Sequence, residues 1–222
     1  MYSKYNCMIN CMSNLCHIQK SPLRHLPAIA GMVVVATTIT LVGGRAIAHP
    51  EQARPADSLV DSIGVNVKLT YYDTPYADYS RLKEELRESG IRHIRDGLND
   101  DPKEVQRLND LATSLGIKST LTVYRLDAAH PQSVLDELAV VKPSVEMIEG
   151  PNEPDAGFSW NGKTFPESVI QFQHLLYQTM KSSSLASMPV LAPSISYPPK
   201  SALVPNIECD FGNIHSYHGA QS

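Results

Sequence analysis

A chain of 222 residues with 42% hydrophobic and 19% charged side chains is long and apolar enough to bury a real core. Its formal charge of −4 and isoelectric point near 6.0 exclude the basic footprint of a nucleic-acid binder. Three of the four cysteines (Cys7, Cys11, Cys16) crowd the N-terminus without the paired Cys-x-x-Cys spacing of a structural metal site.

In chain order, residues 1–27 carry Lys4, Lys20 and Arg24 and no acidic residue. An apolar run follows from Ala28 to Val42, and then the small-x-small triplet Ala46-Ile47-Ala48. Basic start, short apolar stretch and small residues describe a secretory signal peptide cleaved after Ala48. The run is shorter than the roughly 20 residues of a bilayer span, so no stable membrane insertion is expected after cleavage. The expected product is secreted or periplasmic. It retains Cys209 alone, an inert core residue with no partner for an intramolecular disulfide.

Residues 49–62 are polar, contain Pro50 and Pro55, and read as an extended lead-in. Ile63 to Leu69 reads as a strand. Tyr79 to Ser89 reads as a helix, with Leu82 and Leu86 on one face and Gly90 as its stop. The pattern repeats: a strand at Ile91–Arg95, a helix opened by Asp101-Pro102 and closed by Gly116, and a strand at Ile117–Tyr124. A helix over Pro131–Val140 follows, then a strand at Val145–Glu149 and a longer helix over Phe165–Ser183. A fifth strand at Pro189–Ala192 and a sixth at Gly212–Tyr217 complete the series, with one short turn over Ser201–Val204 between them.

Alternation of strand and helix at roughly 27-residue spacing is the signature of a parallel sheet, wound open or closed as a barrel. No G-x-G-x-x-G follows the first strand, which counts against dinucleotide binding. Six units are visible where an eightfold barrel needs eight. In a parallel barrel, chemistry sits at the carboxyl ends of the strands. Those ends offer Asn66, Lys68 and Tyr71, then Arg95-Asp96, then Tyr124-Arg125. Beyond the fourth strand comes Glu149-Gly150-Pro151-Asn152-Glu153-Pro154-Asp155, and beyond the sixth His215-Ser216-Tyr217-His218.

Asn152-Glu153-Pro154, with Arg95 after the second strand and His215-x-Tyr217 at the sixth, resembles glycoside hydrolase clan A, the retaining (β/α)8 glycosidases. The likeness runs from about residue 63 to 218. It implies a TIM-type (β/α)8 barrel over residues 63–222 with about six of its eight βα units present. It implies that Glu153 is the general acid/base and that Asn152 holds the sugar's 2-hydroxyl. By the same resemblance Arg95 and Tyr217 orient the nucleophile, and His215 lines the site. Cleavage needs a protonated carboxyl beside the leaving oxygen and a carboxylate on the opposite face of the ring. Such an acid keeps its proton through partial burial or a neighbouring carboxylate. Pro154 is expected to hold Glu153 in extended backbone.

The family's nucleophile is a second Glu at the end of strand seven, which this chain lacks. Glu149 belongs by its position to the interior of its strand, and the resemblance gives neither Asp96 nor Asp155 that role. The expectation is a truncated, secreted enzyme hydrolysing O-glycosidic bonds of a β-linked oligo- or polysaccharide, needing no cofactor and no metal. By itself it is expected to be inactive and poorly soluble, with open sheet edges. The alternative is a non-catalytic carbohydrate-binding remnant of such a barrel. Individual residues carry plainer readings as well: Arg95 paired simply with Asp96, and His215 with Tyr217 as a satisfied core pair. Trp160 either stacks on a sugar or caps the barrel, and Tyr124 poses the same choice. Tyr71, Tyr72, Tyr76 and Tyr79 either face carbohydrate or pack the first helix.

Overall fold

The computed structural model describes residues 55–215, together with the backbone of residues 7–9. Its first elements are β1 (Cys7–Ile9), α1 (Ala56–Val60), β2 (Ile63–Asn66), α2 (Tyr79–Ser89), β3 (His93–Leu98) and α3 (Pro102–Leu115). There follow β4 (Lys118–Val123), α4 (Ser133–Val140), β5 (Val145–Glu149), a hairpin of β6 (Ser159–Trp160) and β7 (Lys163–Thr164), α5 (Glu167–Lys181) and β8 (Val190–Leu191).

Capping chemistry sets the helix ends. Asp78 accepts from the Arg81 amide to open α2, and Gly90, at φ 69°, closes it in the left-handed region. Asp101 accepts from the amides of Lys103 and Glu104, Pro102 occupies the first turn of α3, and Gly116 at φ 72° ends it. The leader expected over 1–48 lies outside the described residues apart from β1, which pairs antiparallel with β2, Cys7 opposite Val65. The lead-in is corrected: within it, Ala56–Val60 is helical rather than extended. Its cause is not local, because Asp57 and Asp61 are drawn to Arg92 at 2.5 and 3.4 Å. A six-residue 3₁₀ segment, Pro198–Leu203, replaces the short turn expected near Ser201.

Strands β2, β3, β4, β5 and β8 pair in parallel, in that order, with β1 at the outer edge of β2. The molecule is thus α/β, with a five-stranded parallel sheet and helices between the strands. Ile94, Leu121, Ile148 and Val190 lie in one core with Leu86 of α2, Leu108 and Leu111 of α3, Leu138 of α4, and Phe172 and Leu176 of α5. All four of these helices therefore cover the same face. Each buried Leu or Phe side chain contributes about 1.5–3 kcal/mol. By the two-residue alternation of strands, Arg95, Gly97, Thr120, Thr122 and Glu149 point to the other face. Register places Arg95 opposite Thr120, Gly97 opposite Thr122, and Thr122 opposite Glu149. On that face Arg95, Thr120, Thr122 and Glu149 are buried, and Leu191 lies beside Glu149.

The sixth strand is also corrected. Among the described residues it amounts to two bridges, Leu191 with Phe211 and Ile195 with Ile214. Between them the Asn213 side-chain amide donates to the Ala192 carbonyl at 3.2 Å. A side chain takes a place that a continuous strand would fill with backbone. No helix among the described residues is long and apolar enough to cross a membrane.

Candidate functional site

The polar face of the sheet is organised around one ion pair. Arg95 donates to Glu149 through Nε at 2.5 Å and Nη2 at 2.7 Å, and Thr122 Oγ1 donates to the same carboxylate at 3.4 Å. Glu149 is fully buried and Arg95 nearly so. A charge so placed persists only with a partner in good geometry, and removing either one strands the other at a cost of about 3–5 kcal/mol. Arg95 is thus paired with Glu149 rather than with Asp96. Asp96 points to the helix face and accepts from the amides of Leu69 and Gly97 at 2.9 and 2.8 Å.

Arg95 reaches on from this pair into the loop after β5. Its Nη2 donates to Asn152 Oδ1 at 2.8 Å, and Ser194 Oγ donates to the same oxygen at 3.4 Å. Because a guanidinium only donates, the Asn152 atom facing it is the oxygen, whichever way the amide is assigned. That leaves Nδ2 as the Asn152 group that a ligand would meet. Glu149, set aside as strand interior, is thus the anchor of the site.

Glu153 follows at the same strand end. Its backbone is at φ 47° and ψ 50°, so the extended conformation expected ahead of Pro154 is corrected to left-handed. The Glu153 amide donates to the Ser194 carbonyl at 2.9 Å while Pro154 opens a 3₁₀ turn over Pro154–Ala156. Both constraints hold at once only if the chain bends at Glu153. A non-glycine residue in this region costs about 1–3 kcal/mol and depends on surrounding contacts to hold it. Asp155 supplies them, accepting from the Ser196 amide and hydroxyl at 3.0 Å and from the Tyr197 amide at 2.9 Å. Burial pushes the Asp155 carboxyl up, but these bonds outweigh it and hold the group below its ordinary value. Asp155 is thereby the clamp of the loop.

The bent chain brings the Glu153 carboxyl to His215, with Oε1 2.9 Å from Nδ1. Both side chains are partly buried, 27% and 14% exposed. Gly150 fixes where the loop begins. A Cβ there would lie 2.1 Å from Gln173 Oε1 and 2.8 Å from Pro193 Cγ, so α5 packs directly on the backbone. Gln173 in turn donates to the carbonyls of Leu191 and Glu208 at 3.1 and 3.0 Å.

Of the residues predicted for the site, Asn152, Glu153 and His215 meet beyond the carboxyl end of β5, while Arg95, expected at the end of its strand, lies within β3 and reaches Asn152 through its side chain. Tyr217, like His218, lies outside the described residues. Trp160 is committed elsewhere: its indole N–H donates to the Leu126 carbonyl at 2.7 Å, and its ring packs edge-on against Phe172. The tyrosines after β2 serve packing. Tyr72 donates to Asp101 and Tyr79 to Asp110, with the Arg107 guanidinium over both rings. Cys209 is half-buried with a free thiol that burial pushes up. The described residues include no group of three His, Cys, Asp or Glu placed to hold a metal. What the site offers is a partly buried carboxyl touching an imidazole, beside an amide donor pinned by a buried cation. No protein-family model matches this chain, and no curated protein matches it either.

Proposed function

We propose that the chain supplies the acid/base and sugar-binding side of a retaining glycosidase of clan A type, acting on a β-linked glycan with Glu153 as general acid/base. The carrying observation is the continuous contact from Glu149 through Arg95 to Asn152, next to Glu153 bound to His215, at and just beyond the carboxyl end of β5. A (β/α)8 barrel keeps its catalytic groups at that end. Helices confined to one face, with buried polar side chains (Arg95, Thr120, Thr122, Glu149) on the other, favour barrel-type closure over a doubly wound sheet, whose faces are both apolar.

In this reading Glu153 protonates the leaving oxygen and later takes a proton from water. His215 Nδ1 accepts from the acid or donates to the carboxylate, according to its tautomer. Asn152, its oxygen committed to Arg95, donates Nδ2 to a sugar hydroxyl. Glu149 is locked to Arg95 away from solvent and is not available as the nucleophile. The basic-then-apolar leader supports export. The commitment of Glu149 also favours a second reading, a carbohydrate-binding protein without turnover.

The test is titration of the full chain with a panel of β-linked oligosaccharides and aryl β-glycosides. Asn152→Ala is expected to weaken binding about tenfold, the loss of one hydrogen bond to a desolvated partner. Glu153→Gln is expected to leave binding within about threefold while lowering any turnover by about 10²–10⁴-fold. Turnover of an aryl β-glycoside that appears when formate or azide supplies the second nucleophile, and that falls in Glu153→Gln, assigns the first reading, whereas binding with no turnover even then assigns the second. A chain that binds no member of the panel refutes both.

A further inference from the structure

With Trp160 spent on packing, the site's aromatic wall has to come from elsewhere. The bond from Trp160 to the Leu126 carbonyl fixes the chain just beyond β4. Two residues earlier stands Tyr124, 40% exposed. A Cβ built on Gly97 would lie 3.0 Å from Tyr124 Cε2 and 3.5 Å from Cδ2. One edge of the ring therefore rests on the Gly97 backbone, in space that a glycine alone leaves open. Gly97 faces the same way as Arg95, and it pairs with Thr122, which pairs with Glu149. The ring thus stands over Gly97, in the row of Thr122 and Glu149, and Glu149 holds the Arg95 that in turn holds Asn152. The other exposed tyrosines are placed differently: Tyr71 packs edge-on against Tyr76, and Tyr197 belongs to the loop that Asp155 clamps.

We propose that Tyr124 is the platform on which a pyranose at the Glu153 site stacks through its C–H face, and that Gly97 sets the depth of the ring. The proposal rests on the glycosidase reading above. An open aromatic ring fixed by its backbone neighbours loses little freedom when a sugar covers it, and gains the contact of an apolar sugar face.

Proton NMR of the full chain titrated with methyl β-D-glucoside, mannoside and xyloside tests it. In the wild type the ring current of Tyr124 is expected to move H-1, H-3 and H-5 of a bound glycoside upfield. Tyr124→Phe keeps that shift and the affinity within about twofold, since the ring is retained. Tyr124→Leu abolishes the shift and weakens binding about tenfold. Gly97→Val does the same by displacing the ring, with Tyr124 itself intact. Binding with no upfield shift, or a Tyr124→Leu variant that keeps shift and affinity, overturns the platform and leaves the glycosidase reading standing. A wild-type chain that binds none of the three glycosides overturns that reading and the platform together.

Discussion

Two carboxyls buried between β3 and α3 make the residue scale unusually sensitive to pH. Glu104 is almost wholly buried, with its carboxyl against Asp96 and Asn99. Burial first, and then repulsion from Asp96, pushes its carboxyl up to about 8. Burial raises Asp96 as well, against the pull of Lys68 at 3.4 Å. The sign follows from linkage. The folded chain keeps a proton on Glu104 that the unfolded chain releases above its ordinary value of 4.5. The stability associated with that proton is full below this value and lost as the pH rises toward about 8. Urea midpoints measured at both ends of this window are therefore expected to fall toward the alkaline end. Glu104→Gln, neutral throughout, should flatten the dependence and exceed the wild type at the alkaline end. An equally steep fall in the variant would assign the effect to another group. Nothing in the sequence marks Glu104 for this. It reads as a favourable acid in the first turn of α3, and only the packing of α3 on β3 buries it beside Asp96.

Elements bounded by local chemistry were legible: α2 and α3 lie between an Asp cap and a left-handed glycine, and β5 was read residue for residue. Elements that depend on distant partners were not. The hairpin β6–β7 carried its signal in Asn161-Gly162, both at positive φ, but two-residue strands are too short to show a period. Helix α1 gave no signal, since it buries no side chain. It is tied to the sheet by charge: Arg92 to Asp57 and Asp61, and His93 between Asp61 at 3.4 Å and Glu146 at 2.7 Å. Arg92, Asp57 and Asp61 are open to solvent, so salt screens them. Raising ionic strength from about 0.05 M to about 1 M, across which the Debye length falls severalfold, is expected to speed amide exchange over residues 55–62 while β4 is unchanged. Arg92→Gln should reproduce that loosening at low salt. Equal exchange in the variant and the wild type would mean that packing, rather than charge, holds α1.

Across the whole molecule the site straddles two levels of rigidity. Arg95, Glu149 and Asn152 stand on or beside β3 and β5, and β3 pairs with β4 over six residues. That part was half legible. The strand-end motif picked out Arg95, Asn152 and Glu153, but the strand-seven analogy concealed the role of Glu149, which no spacing rule assigns. His215 sits at the other level. Its segment meets β8 and the chain just beyond it through two bridges, and Phe211 and Ile214 are 46% and 52% exposed. Local opening free energy tracks buried contacts and continuous pairing. Amides of residues 118–123 should therefore exchange only through global unfolding, while those of residues 211–215 exchange through local opening several orders of magnitude sooner. The contact between Glu153 and His215 at 2.9 Å crosses this boundary, so a ligand that engages Glu153 bears on both sides of it. Saturating glycoside is expected to slow exchange at residues 211–215 and leave residues 118–123 as they were. Uniform slowing across the chain would mean that the ligand stabilises the fold as a whole, and that His215 is no more mobile than the sheet it faces.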